Sequence, residues 1–140
     1  MLDGDEIRQN LSKGLGFSRE DRETHLRRVT YVAKLLSRNG VAVIAAFISP
    51  YRNIREYARK ETTNFVEVYV KCSVEACAER DPKGLYKKAS AGQIKDLTGP
   101  QDLYEEPLQP DLVVDTEKLT AQESVNSILA SLEQLQITRP

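Results

Sequence analysis

What the chain has little of sets the first bounds. It holds one histidine and two cysteines, and Cys72 and Cys77 stand at a spacing that fits neither a Cys-x-x-Cys redox motif nor a zinc ligand set. A metal centre built from protein ligands alone is therefore not expected, and two reduced thiols suit a reducing cytosol. Neither sign of charge dominates. Against 21 acidic residues stand 20 basic ones, for a net charge of −1, which excludes a global attraction to nucleic acid or to an anionic membrane and leaves a local basic site open. Long hydrophobic runs are missing too. The longest, 41–48, is far too short to span a bilayer, and residues 1–6 show neither the basic region nor the apolar core of a secretory leader. A cytoplasmic location is the expectation.

What is present reads as one α/β domain. The 140 residues are 40% hydrophobic and 29% charged, with no repeat, low-complexity tract or linker. A single domain over 1–140 is expected, and one of that size buries roughly 68–70% of its unfolded surface. Residues 41–48 are apolar throughout, as in a strand covered on both faces. Residues 65–70 are rich in β-branched and aromatic side chains, 112–115 end in a carboxylate, and Leu2-Asp3 has the look of a strand end. Between them, Ser18 can cap a helix carrying Leu26, Val29, Val32, Ala33 and Leu36 at spacings of three and four. Ser73 caps a short helix through Arg80. Thr120-Ala-Gln-Glu123 is a capping box ahead of an apolar face formed by Val125, Ile128, Leu129, Leu132 and Leu135. Strands alternating with helices predict a parallel sheet with helices on both faces.

The polar residues cluster at strand ends, where open α/β sheets bind their ligands. The run 41–48 empties into Ser49-Pro-Tyr-Arg52, either an ordinary Ser-Pro turn or a set of ligand contacts. Asp3-Gly-Asp5 can hold a hydrated magnesium ion or accept a substrate proton, or it can simply make a turn. Arg8 and Arg22 are guanidinium groups suited to phosphate or sulfate. Phe17 either stacks on a nucleobase or staples the helix that Ser18 caps. Segment 81–110 is polar and lysine-rich, through Lys83, Lys87, Lys88 and Lys95. It reads as a lid over an anionic ligand or as a solvated loop.

Taken in order, these segments resemble the adenylylsulfate kinases, which use ATP to phosphorylate the 3′-hydroxyl of adenosine 5′-phosphosulfate in sulfate assimilation. The resemblance is carried by Leu2-Asp-Gly-Asp5, Leu15-Gly-Phe-Ser18, Glu20-Asp-Arg22, Arg27-Arg28 and Val32-Ala-Lys-Leu35. It continues through Phe47-Ile-Ser-Pro-Tyr-Arg52, residues 80–89, Leu97-Thr-Gly99, Tyr104-Glu105, Pro107 and residues 110–116. It implies a three-layer parallel-sheet fold of the nucleoside-triphosphate-hydrolase/kinase type, ATP as co-substrate with Mg2+, and a homodimer. Asp5 then matches the carboxylate near magnesium and the attacking hydroxyl, with Asp3 as its partner. Arg8 and Arg22 match arginines on the phosphosulfate, Phe17 an aromatic on the substrate adenine, and Ile48 and Ser49 the substrate-contacting strand end. Ser49 also matches a phosphoserine position of the family, but in-line transfer needs only positioning and charge neutralisation, so no covalent step is expected there. Arg80 matches an arginine packing on the ATP adenine, and Lys83, Lys87 and Leu97 belong to the lid, 81–110.

Departures from the pattern are Glu6 and His25, each where the family commonly has Asn, and Leu97 in place of an aromatic. An aliphatic contact loses a stacking contribution of roughly 0.5–1.5 kcal/mol, so weaker substrate binding is expected with the same chemistry. The largest departure is that no Gly-x-x-x-x-Gly-Lys-Ser/Thr loop occurs anywhere in the chain. The fold is accordingly expected to be truncated at its first βα unit, which would strip ladder partners from the strands at 41–48 and 65–70. The chain by itself is expected to turn over little. The alternative is a catalytically dead paralogue that serves as a substrate-binding or dimerisation partner.

Overall fold

The computed structural model describes residues 1–94, 97–99 and 101–135. Lys95, counted above in the basic segment, and Pro100 lie outside the described residues. Two compact units divide the chain: Met1–Phe65 with Tyr104–Glu106, and Val66–Leu103 with Pro107–Pro140.

In the first unit β1 (Leu2–Asp3) runs directly into α1 (Gly4–Gln9), followed by α2 (Arg19–Ser37), β2 (Ala45–Ala46) and α3 (Arg52–Glu61). β1 and β2 pair in parallel, Leu2 opposite Ala45 and Asp3 opposite Ala46. Asp3 ends the strand and also starts the helix, since its Oδ1 accepts from the amides of Asp5 at 3.0 Å and Glu6 at 3.3 Å. Ser18 caps α2 as expected, its hydroxyl accepting from the Asp21 amide at 3.1 Å. The buried centre is Leu26 of α2 with Tyr51 and Ile54 at the start of α3, and Phe47 and Tyr57 pack against it. Each such side chain taken from water contributes about 1.5–3 kcal/mol.

In the second unit β3 (Val68–Lys71) is followed by α4 (Val74–Arg80), α5 (Leu85–Ser90), β4 (Leu112–Asp115) and α6 (Ala121–Gln134). β3 and β4 are parallel, in register from Val68 opposite Leu112 to Lys71 opposite Asp115. Ser73 caps α4 through the Ala76 amide at 3.2 Å, and the reciprocal capping box of Thr120 and Glu123 starts α6. α6 packs on β4, whose Val114 is almost fully buried.

The α/β class and the parallel pairing are those read from the sequence. The extent and burial of two elements are not. Only Ala45 and Ala46 of the 41–48 run enter a ladder, and Val41, Ile44 and Ile48 are exposed, Ile44 to 68%. Among the described strands β2 has only β1 beside it and β3 only β4, so each keeps one edge without a ladder partner among them. The exposed side chains of 41–48 show that the faces of that run are not fully covered either. The apolar face of α6 is likewise about half open at Val125, Leu129 and Leu135. Helices α1, α3 and α5 were not foreseen: α1 and α5 have six residues each, too few for a periodic signal. No helix of the described residues is long and apolar enough to cross a membrane.

Ile54 is 2% exposed, so Ile54→Ala should cost about 2–5 kcal/mol in urea denaturation followed by circular dichroism. Leu108→Ala, at a position 77% exposed, should stay within about 0.5 kcal/mol.

Candidate functional site

The site in the first unit is built on the carboxyl ends of β1 and β2. Because the strands are parallel, α1 leaves one end and residues 47–49 leave the other on the same side. Their approach leaves little room beyond glycine at position 4. A Cβ there would sit 3.3 Å from Phe47 Cδ1 and 3.4 Å from the Ala46 carbonyl oxygen.

Asp5 lies in the first turn of α1 and Arg8 in its last. From there Arg8 donates to the Gly16 carbonyl at 3.0 Å and lays its guanidinium over the Phe17 ring, 4.5 Å from its centroid. Arg22, in the second turn of α2, donates to the Phe17 carbonyl at 2.8 Å and stands 5.8 Å from the same ring. The ring is 54% exposed while Arg22 is buried. Phe17 thus joins two guanidiniums instead of stapling the helix into the core. Gly16 is pressed against Asp21, where a Cβ would meet the carboxylate Oδ2 at 2.9 Å, and that oxygen also accepts from the Ser18 hydroxyl at 2.8 Å.

The electrostatics favour an anion. Burial, and then the neighbouring Arg22, pull the Arg8 guanidinium below its ordinary value, so a bound negative group would relieve strain that two like charges create. His25 does not add to that charge. It is buried, its Nδ1 is 2.7 Å from the Ser12 hydroxyl, and burial followed by Arg8 and Arg28 lowers its pKa to about 4. At neutral pH it is an uncharged hydrogen-bonding ring tilted against Phe47 at 5.5 Å.

Ile48 is exposed and Ser49 has φ of +43°, a left-handed conformation that a residue with a side chain adopts only under constraint. Arg55 donates to the carbonyls of Ser49 and Glu105. Sequence reasoning missed Arg55. Its signal was present in the spacing of Arg52, Arg55 and Arg59, which puts the arginines on one stripe of a helix. Asp3, Asp5, Arg8, Phe17, Arg22, Ile48 and Ser49 therefore all belong to the first unit; Asp3, Asp5, Ile48 and Ser49 stand on or just after its two strands, and Arg8, Phe17 and Arg22 form one cluster.

Arg80, Lys83, Lys87 and Leu97 belong to the second unit. Arg80 ends α4 and donates to the Thr116 carbonyl at 2.7 Å and its hydroxyl at 3.1 Å, with Cys72 Sγ at 3.6 Å. These residues, with Val70, Cys77, Leu119 and others, line a depression of about 590 Å³ at the carboxyl ends of β3 and β4. Burial and the contact with Cys72 push the Cys77 thiol up, which keeps it protonated and inert; both cysteines are free. The described residues of 81–110 include regular structure. Lys83 lies in the turn before α5, Lys87 lies on α5, and the Asp81 carboxylate accepts from the amides of Tyr86 and Lys87, each at 3.1 Å. Leu97 donates its amide to the Gln101 side chain at 3.1 Å.

Comparison with known proteins gives a coherent answer. Residues 1–115 match the family model described as adenylylsulphate kinase. A probable adenylyl-sulfate kinase of Pseudomonas aeruginosa is 57% identical over 91% of this chain and 60% of its own length. A probable bifunctional SAT/APS kinase 2 of Sorangium cellulosum is also 57% identical, over 96% of this chain and 23% of its own length. The chain thus spans less than two thirds of either relative. The APS kinase CysC of Mycobacterium tuberculosis, solved in complex with AMPPNP and APS, superimposes with a TM-score of 0.87 at 39% identity. That match covers 94% of this chain and 78% of that one, and it places the fold in the kinase type expected from the sequence.

The buried histidine makes stability pH-dependent. In the unfolded chain His25 takes its proton near its ordinary value of 6.5, and in the fold only at about 4. Between those values the unfolded state holds more protons, so stability falls as pH drops from 6.5 toward 4, by up to ~1.4 kcal/mol per pH unit. The urea midpoint should be lower at pH 5 than at pH 7, and His25→Asn should remove most of that difference.

Proposed function

Because the chain belongs to the adenylylsulphate kinase family, we propose that it serves ATP-dependent phosphorylation of the 3′-hydroxyl of adenosine 5′-phosphosulfate. The observation that supports this most directly is the pair of guanidiniums, Arg8 and Arg22, gathered at one exposed Phe17 ring. Two fixed cations beside an aromatic face suit an anionic group joined to a flat heterocycle. Arg8 and Arg22 hold the phosphosulfate end and Phe17 covers the adenine. Ile48 and Ser49 contact the substrate from the end of β2, Ser49 by position alone. Asp5 orients the attacking hydroxyl, while the Asp3 carboxylate is already committed to the α1 amides and holds Asp5 in place. In-line transfer asks of the protein mostly alignment and charge neutralisation, and these groups supply both.

The donor set fits magnesium in one way only. Among the described residues no group of three or more His, Cys, Asp or Glu could cage a metal ion. One carboxylate, Asp5, together with phosphate oxygens and water, is the arrangement Mg2+ commonly takes. When bound, the ion would neutralise charge on the nucleotide phosphates. In the same proposal Arg80, at the depression in the second unit, packs on the ATP adenine. Lys83, Lys87 and Leu97 act from the 81–110 segment as a lid. The setting is cytoplasmic, in keeping with two free thiols, and the assembly is a homodimer, which sedimentation equilibrium tests.

Isothermal titration calorimetry of the purified chain with adenosine 5′-phosphosulfate is the deciding measurement. Binding is expected, weakened about tenfold or more by Arg8→Ala and by Arg22→Ala through loss of a charge-assisted contact. Phosphate transfer from ATP should be weak, because the 140 residues hold no Gly-x-x-x-x-Gly-Lys-Ser/Thr loop. A wild-type chain that ignores the nucleotide would remove this reading.

A further inference from the structure

Arg55 occupies a position that neither the motif pattern nor the proposed substrate contacts account for. Its two terminal nitrogens reach carbonyls from distant parts of the chain, Nη1 that of Ser49 and Nη2 that of Glu105, and its guanidinium stands 5.7 Å from the Tyr104 ring. The same two segments are tied in three further places. The Glu105 amide donates to the Pro50 carbonyl at 2.8 Å, the Glu105 carboxylate accepts from the Arg52 amide at 2.7 Å, and Arg52 Nε donates to the Glu106 carbonyl at 2.7 Å. Tyr51, between them, is 2% exposed. Residues 104–106 thus form a strap across 49–55, and Arg55 is the side chain that bonds both sides of it.

Chemistry makes arginine suited to this task. A guanidinium is a planar fork whose donors point in fixed directions, so binding two carbonyls fixes their relative placement, which a lysine ammonium on its flexible stem does not. One of those carbonyls belongs to Ser49, whose left-handed backbone is unfavourable for a residue with a Cβ and persists only when its surroundings impose it. Holding the Ser49 carbonyl fixes the peptide plane that follows Ser49, and so restricts the backbone from which its side chain projects. We infer that Arg55 is a positioning residue, which clamps Ser49 in its left-handed conformation and anchors 104–106, and thereby sets the affinity of the β2 end for the sulfated nucleotide. Arg55 does this without touching the ligand. The inference rests on the reading of Ile48 and Ser49 as substrate contacts.

The test combines hydrogen exchange of the free chain with calorimetry, on Arg55→Met and Arg55→Lys. Arg55→Met should raise exchange at the Arg52 and Glu105 amides, leave 112–115 in the second unit unchanged, and weaken binding of adenosine 5′-phosphosulfate about tenfold or more. Arg55→Lys, able to keep one carbonyl bond, should fall between it and wild type on both readouts. Faster exchange with unaltered affinity would mean a purely structural strap and overturns the inference, as does wild-type exchange in Arg55→Met. Should Arg55→Met not fold, Arg55→Lys decides alone, and wild-type behaviour on both readouts overturns it. If the wild-type chain itself binds no nucleotide, the substrate reading falls and takes this role with it. If wild type binds and Arg55→Met binds equally well, only the role of Arg55 falls.

Discussion

Two residue pairs of parallel ladder govern the first unit. Leu2 with Ala45 and Asp3 with Ala46, joined further by the Leu2 amide on the Ile44 carbonyl at 2.7 Å, force both strands to run out at one edge. A carboxylate helix and a Ser-Pro turn then leave side by side. An antiparallel pair would put Asp5 and Ser49 at opposite ends of the sheet, and a register shift of one residue would turn each side chain to the other face. The glycine at position 4 suits the same constraint, since a Cβ there would press on Phe47 at 3.3 Å.

Around that edge the charge is organised by what stays neutral as much as by what is ionised. Arg8 and Arg22 face one ring, and Arg28 is near enough to act on His25. A protonated imidazole among them would add a fourth like charge in a dehydrated place, and burial prevents it. This gives a physical account of a departure noted in the sequence. Where the resemblance leads one to expect an asparagine, a histidine held neutral and bonded to Ser12 is an uncharged polar side chain of larger size.

How much of this was legible beforehand depended on the kind of signal. The capping residues Ser18, Ser73 and Thr120 were read correctly because a hydroxyl at a helix start satisfies amides only a few residues away, a local matter. β4 was placed to the residue because its apolar run is bounded by Asp111 and Asp115. The burial of 41–48 was misjudged because apolar content records a preference for cover and says nothing of whether a neighbour exists to supply it. Arg55 went unseen for a related reason: its two partners are 6 and 50 residues away, and a basic helix stripe looks the same whether it is solvated or clamps two carbonyls. The Arg8, Phe17 and Arg22 grouping was found through a resemblance between motifs, whereas their stacking geometry is a product of tertiary structure alone.

The uncovered strands carry a practical consequence. β2 and β3 each present one unpaired edge among the described strands, and beside those edges Ile44 and Val70 are 68% and 60% exposed. Natural sheets blunt such edges with lysine, proline or a bulge, and none stands in the 41–46 run here. The β2 edge, unlike that of β3 with its Lys71, is therefore open to edge-to-edge pairing with a second strand. A single lysine in place of Ile44 acts as a gatekeeper against it without touching any of the arginines that give the chain its chemistry.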